Sequence, residues 1–170
     1  MVYYPCVSIL KIINVLKPRA YMKLFVKLLM RMGITFNGMP RYISSDVYFD
    51  NFSLITLSER TVISKQCVLL THDYSPTTAF LTPPLNEDLV KTDVRNYGKI
   101  VVKENVFIGL RVTILPNTTI ENNCIIGAGA VVKGFIPAGS VVAGNPAKIL
   151  CSIQDYKAKC LLNVDKMKWD

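Results

Sequence analysis

Between residues 102 and 148 the apolar positions of this chain recur every six residues. Val102, Ile108, Ile114, Ile120, Ile126 and Val132 form the series, all of them β-branched aliphatics. Four residues after each stands a second, mostly smaller set: Val106, Val112, Thr118, Cys124, Ala130 and Ile136. Polar or turn-forming residues lie between, among them Lys103, Glu104, Asn105, Asn117, Glu121, Asn122 and Asn123. An amphipathic helix would repeat its apolar positions at three and four, and a half-buried strand at two. A sustained period of six predicts a β-helix of hexapeptides, each repeat one flat side of a triangular coil. Three repeats close a coil of about eighteen residues. The first position points into the prism and stacks on its equivalent one coil above. The position four later also faces in, near the corner, and must be small. The coils then stack as parallel strands about 4.8 Å apart.

The same register extends upstream. Ile43 with Val47, and Phe49 with Ser53, fit the inward pair. After two extra residues it resumes at Leu57 with Thr61, Ile63 with Cys67, and Leu69, so a corner bulge or short loop is expected between. Residues 71–98 lose the period and carry Pro76, Pro83 and Pro84. A long loop inside a compact repeat is usually functional, and this one opens at the only histidine, His72. Residues 1–40 also lack the period. Residues 7–16 are apolar, broken by Lys11 and Asn14, and Pro18 ends the run. Residues 20–32 predict an amphipathic helix, with Lys23, Lys27 and Arg31 on one face and Leu24, Phe25, Leu28, Leu29 and Met32 beside them. Gly33 is a suitable stop. Such a helix either packs on the first coils or lies on an anionic membrane surface. No apolar run reaches spanning length, and no small-residue cleavage site follows the first apolar run, which argues against a signal peptide. Residues 153–162 predict a short C-terminal helix. The expected division is therefore a mostly helical extension over 1–40, a β-helix over 41–148 with an excursion at 71–98, and a helical tail over 149–170.

Composition narrows the partners. The chain has 170 residues, half of them apolar, and a net charge of +8. One domain with modest attachments suits that length. A basic surface attracts nucleic acid, an anionic membrane or a phosphorylated small molecule. No zinc-finger or base-stacking motif is present, so nucleic acid is not expected. The five cysteines are odd in number and none has CxxC spacing. Cys67 and Cys124 fall at inward corner slots, where a thiol serves as a small hydrophobe. All five are expected to be reduced, which points to the cytoplasm, with the inner membrane face as an option. A single histidine provides no metal cluster, and zinc-dependent carbonic anhydrase chemistry on such a fold is excluded.

The motifs carry a resemblance. Asn105-Val106-Phe107-Ile108-Gly109, Ile114-Leu115-Pro116, the run 126–132, Ile136-Pro137 and the run 143–148 occur in that order. The chain resembles the hexapeptide-repeat acyltransferases, above all the galactoside, maltose and xenobiotic acetyltransferase group and its polysaccharide O-acetyltransferase relatives. The resemblance implies an all-β fold, a left-handed parallel β-helix with an N-terminal helical segment, a long active-site loop and a short C-terminal helix. That hand opposes the usual crossover rule. It also implies acetyl-CoA as acyl donor, no metal, and a homotrimer with active sites at subunit interfaces.

Within that family pattern His72 matches the catalytic histidine. Acetyl transfer from a thioester to a hydroxyl needs a base for the hydroxyl proton, and an imidazole suits neutral pH. No acyl-enzyme is required. The oxyanion donor of the family maps to the main-chain N–H of Leu110. Asn51 matches an acceptor-contacting asparagine, or else is a corner asparagine in left-handed geometry. A further acceptor-side aspartate of the galactoside enzymes lies in a loop missing here between Leu54 and Leu57. Asp73 either orients the imidazole or caps the loop. Arg95 and Tyr97 are candidate sugar contacts. The donor maps to Gly127 and Ala128, with Lys133 and Lys148 against its phosphates. Cys151 replaces a second basic residue, and Phe107 a tryptophan. The expected activity is O-acetylation of a sugar hydroxyl on a surface polysaccharide or its precursor. N-acetylation of a nucleotide-linked amino sugar is the alternative, and a non-catalytic β-helix platform is the alternative of another class.

Overall fold

A computed structural model describes residues 18–84 and 94–163. The apolar run at 7–16 and the last seven residues lie outside them. The first described element is helix α1 (Pro18–Met32), ended by Gly33 at φ +115°. Fourteen short strands then wind as a left-handed β-helix. Three parallel sheets form its faces. The first stacks β1 (Thr35–Asn37), β4 (Ile55–Ser58), β9 (Ile100–Val102), β12 (Thr118–Ile120) and β15 (Phe135–Ile136). The second stacks β2 (Tyr42–Ile43), β5 (Val62–Ile63), β10 (Phe107–Ile108), β13 (Ile125–Ile126) and β16 (Ser140–Ala143). The third holds β3 (Tyr48–Phe49), β6 (Val68–Leu69), β11 (Thr113–Ile114) and β14 (Val131–Val132). Two further strands, β7 (His72–Asp73) and β8 (Asn96–Tyr97), pair antiparallel outside the prism, with helix α2 (Ser75–Phe80) between them in the chain. Strand β17 (Lys148–Ser152) folds back antiparallel on β16, and helix α3 (Ile153–Leu162) follows behind a Ser152–Asp155 capping box.

The six-residue series fills the prism. Ile63, Ile108 and Ile126 stack on the second face, Leu69, Ile114 and Val132 on the third, Leu57, Val102 and Ile120 on the first, all with no exposure. The small slots are inward as well: Cys67, Val106, Val112, Thr118, Cys124 and Ala130 are buried. Three residues after the inward aliphatic, the corner takes a positive φ, seen at Arg60, Gln66, Asn105, Arg111, Asn117, Asn123 and Gly129. Arginine and glutamine pay about 1 kcal/mol for such geometry. They hold it because main-chain bonds from adjacent coils tie the corner, as Arg111 N–H to Lys65 carbonyl does at 3.1 Å.

Two register assignments differ from expectation. Ser53 is exposed, and Ile55 takes the buried place. The two extra residues form a 3-10 turn, Phe52–Leu54, which stretches that coil so that Phe49 pairs with Leu69, twenty positions on. At the far end Ile136 is not a corner slot. It pairs with Ile120, sixteen positions earlier, because the corner at Lys133-Gly134 is short.

Helix α1 packs against the first coil. Tyr21, Phe25 and Leu29 have no exposure, the Tyr21 hydroxyl donates to the Ile43 carbonyl at 2.6 Å, and Tyr21 and Phe25 stack at 5.4 Å. Its apolar stripe therefore belongs to the core. Among the described residues no helix is long and apolar enough to cross a membrane.

Candidate active site

His72 lies on the edge of the prism between the third and first faces, where the chain leaves β6 and the excursion begins. Its ring is outside the prism, 28 % exposed, and its Nδ1 is 2.5 Å from the Asp50 carboxylate. Asp50 follows β3, directly below in the stack. The same oxygen, Oδ2, accepts from the Thr71 N–H at 3.0 Å and the Thr71 hydroxyl at 2.8 Å. Burial works to raise the Asp50 pKa, but those two bonds and the contact with His72 outweigh it, so the carboxyl is held below the usual range. An ionised carboxylate can only accept. Nδ1 must therefore carry a proton, and in the neutral ring Nε2 is the acceptor nitrogen.

The loop completes a wall around the ring. Pairing of β7 with β8 sets His72 opposite Tyr97, with ring centroids 5.9 Å apart. Tyr74 meets the imidazole edge-on at 5.3 Å. The Arg95 guanidinium lies 4.3 Å from the centre of the Tyr74 ring and donates to the Tyr97 hydroxyl at 3.2 Å. Both tyrosines are about half exposed. Asn51 lies at the same edge, its N–H donating to the Thr71 hydroxyl at 3.0 Å. Its φ of −96° is extended, not left-handed, and its side-chain oxygen caps the 3-10 turn through Ser53. Asp73 does not orient the imidazole. It takes the Ser75 N–H at 2.9 Å and the Ser75 hydroxyl at 2.7 Å, which lower its pKa and cap the entry to α2.

The remaining expected residues divide between two edges. Leu110, Gly127 and Ala128 occupy corners between the second and third faces, and Lys148 pairs with Ala143 above them. Lys133 is on the edge of His72, close enough to Asp73 to help lower that carboxyl. The structure thus brings His72, Asn51, Arg95, Tyr97 and Lys133 to one edge, and Leu110, Gly127, Ala128 and Lys148 to another. The second edge is a narrow main-chain ledge. A Cβ on Gly109 would sit 2.7 Å from the Ala128 nitrogen, and one on Gly127 2.8 Å from the Ala143 Cβ. Among the described residues neither the Leu110 nor the Ala128 N–H donates to another group.

Asp50, Thr71 and Tyr74 were not singled out from the sequence. Asp50 was within reach of it. The two-residue slip after Phe49 lengthens that coil, and carrying the slip through places Asp50 beneath Leu70-Thr71-His72.

Comparison with known proteins agrees with this architecture. The family model for bacterial transferase hexapeptide (six repeats) matches residues 99–134. Protein CapG of Staphylococcus aureus is 32 % identical over 157 residues, which cover 86 % of this chain and 87 % of CapG. The WbbJ protein of Escherichia coli K12, provisionally named a lipopolysaccharide biosynthesis O-acetyl transferase, is 28 % identical over 120 residues, 69 % of this chain. The match spans only 60 % of that relative's length. A galactoside acetyltransferase solved in complex with coenzyme A shares the fold, with a TM-score of 0.53 and 24 % identity over 78 % of this chain and 71 % of that one. A left-handed β-helix wound from hexapeptide repeats is the framework of the bacterial hexapeptide transferases. This chain belongs to the hexapeptide-repeat acetyltransferases.

Proposed function

We propose that the chain moves an acetyl group from acetyl-CoA to a sugar hydroxyl of a surface polysaccharide or its precursor. The observation that carries this is the Asp50–His72 pair, which turns Nδ1 to the carboxylate and so assigns Nε2 of the neutral ring as the proton acceptor, beside the half-exposed Tyr74 and Tyr97. Nε2 takes the proton of the acceptor hydroxyl while its oxygen adds to the thioester carbonyl. Asp50 stays ionised and stabilises the imidazolium that forms. The Leu110 N–H donates to the carbonyl oxygen as it gains charge. The imidazolium returns its proton to sulfur as the carbon–sulfur bond breaks, so thiol and ester leave together. No covalent acyl-enzyme is needed. Cys67 and Cys124 are buried, and burial pushes their thiols up.

His72 and Leu110 stand on different edges of one prism, so the site is completed by a second copy of the chain. A homotrimer would set the histidine edge of one subunit against the ledge of the next. The residues fit the donor. Free N–H groups at Leu110 and Ala128 offer partners for the amides of its pantetheine arm, in the manner of an added strand. Lys148 at the end of that ledge would meet its phosphates, and Lys133 would approach them from the other subunit. Arg95, Tyr97 and Asn51 would contact the acceptor. Reduced thiols favour a cytoplasmic site of action.

The test is thiol release from acetyl-CoA by the purified chain, offered panels of oligosaccharides and nucleotide sugars. Release with a saccharide acceptor, lost in His72→Ala, is expected. The product should be cleaved by mild base, as an ester is and an amide is not. Release absent with every acceptor would overturn the proposal, as would release unaffected by His72→Ala.

A further inference from the structure

Helix α1 has a second face that the β-helix does not use. Tyr21, Met22, Phe25, Val26 and Leu29 are buried on the first coil. Arg19, Lys23, Lys27 and Arg31, spaced four apart, are exposed on the opposite side. The helix contains no Asp or Glu to neutralise them. Leu24 at 49 % and Met30 at 55 % exposure flank the row of charges on either side. Residues four apart climb one turn and drift slowly around the helix, so the cations form one continuous strip. A strip of four cations edged by two apolar side chains has the make-up of a surface lying on lipid: cations on anionic headgroups, apolar chains dipping beneath. The carboxylates of the first coil, Asp46 and Asp50, are engaged elsewhere. Asp46 accepts from the Ser44 hydroxyl, and Asp50 is engaged with Thr71 and His72.

We infer that this outer face of α1 docks the protein on an anionic membrane, with the prism standing on its N-terminal end. The placement matters because His72 follows β6, in only the second coil. Coils rise by about 4.8 Å each, so the imidazole edge stands close above the docked helix. An acceptor held at the bilayer surface would therefore lie within reach. This last point rests on the proposed transferase activity; the docking itself does not.

Flotation of the full chain with phosphatidylglycerol/phosphatidylcholine vesicles tests the docking without any turnover. Binding is expected at low salt, weakened by added salt, and absent with phosphatidylcholine alone. Each cation removed near an anionic surface weakens partitioning about fivefold. Lys23→Gln, Lys27→Gln and Arg31→Gln combined should thus lower it by about a hundredfold. These side chains are exposed, so the variant should melt like the parent. Leu24→Gln should weaken vesicle binding by several-fold while leaving binding to soluble polyphosphate unchanged. Three results would overturn the inference: no flotation with the anionic vesicles, flotation unaffected by the triple variant, or polyphosphate bound as well as vesicles with Leu24→Gln silent. The last would make the strip a general polyanion site. Thiol release assayed in parallel with a soluble acceptor separates a failure of docking from a failure of the transferase proposal.

Discussion

Replacing Asp50 by Asn separates orientation of His72 from its basicity. The side chains have the same shape, and Oδ2 of Asp50 faces three donors: the Thr71 N–H, the Thr71 hydroxyl and His72 Nδ1–H. An amide NH2 turned toward three donors would be repelled, so the amide oxygen must occupy that place. Geometry survives and the charge is lost. A hydrogen bond to a charged group is worth about 1.5–3 kcal/mol and a neutral one about 0.5–1.5. The difference falls mainly on the transition state, where the ring becomes imidazolium. At 1.36 kcal/mol per tenfold, a loss of about 1–2 kcal/mol lowers kcat by about 5–30-fold. The two Thr71 bonds are unchanged between ground and transition states, so weakening them affects stability and not turnover. KM for acetyl-CoA should hold. Asp50→Ala removes the anchor as well, and its loss of kcat should approach the about 10²–10⁴ that a positioned base supplies. The assay is steady-state thiol release, with thermal melting as a fold control. A kcat for Asp50→Asn within twofold of the parent, where His72→Ala is inactive, would refute the role given to Asp50. The pH dependence of stability follows from the same bonds. The folded carboxyl lies below its unfolded value of about 3.9, so its stabilisation is complete above that pH and is lost as pH falls through the lower folded value.

Two further outcomes test the packing. Gly109→Ala puts a Cβ 2.7 Å from the Ala128 nitrogen and 2.9 Å from the Ile126 carbonyl oxygen, both main chain. Neighbouring coils must part, at a cost of about 1–3 kcal/mol in chemical denaturation; an unchanged midpoint would mean the ledge is not tight. Tyr21→Phe removes the 2.6 Å bond to the Ile43 carbonyl but keeps the stacked ring, and should lower stability by about 1–2 kcal/mol. A variant as stable as the parent would show that the Tyr21 hydroxyl does not help to hold α1 on the first coil.

The six-residue period was enough to give the triangular coil, its inward ladders and its small corner slots, because side-chain burial in a strand is a local matter of alternation. The C-terminal helix was equally local, with Ser152 and Asp155 able to cap it. His72 stood out because the loop opens there. The partner of His72 was not legible in the same way. Which residues of successive coils meet depends on the length of each corner, and corners here give coils of sixteen, eighteen and twenty residues. A 3-10 turn of three residues decides that Asp50 lies under His72. The division of the expected site between two edges is likewise a property of the closed prism. Side chains distant along the chain are assigned to a common edge only once main-chain bonds between coils have set the register, and no local stretch of sequence contains those bonds.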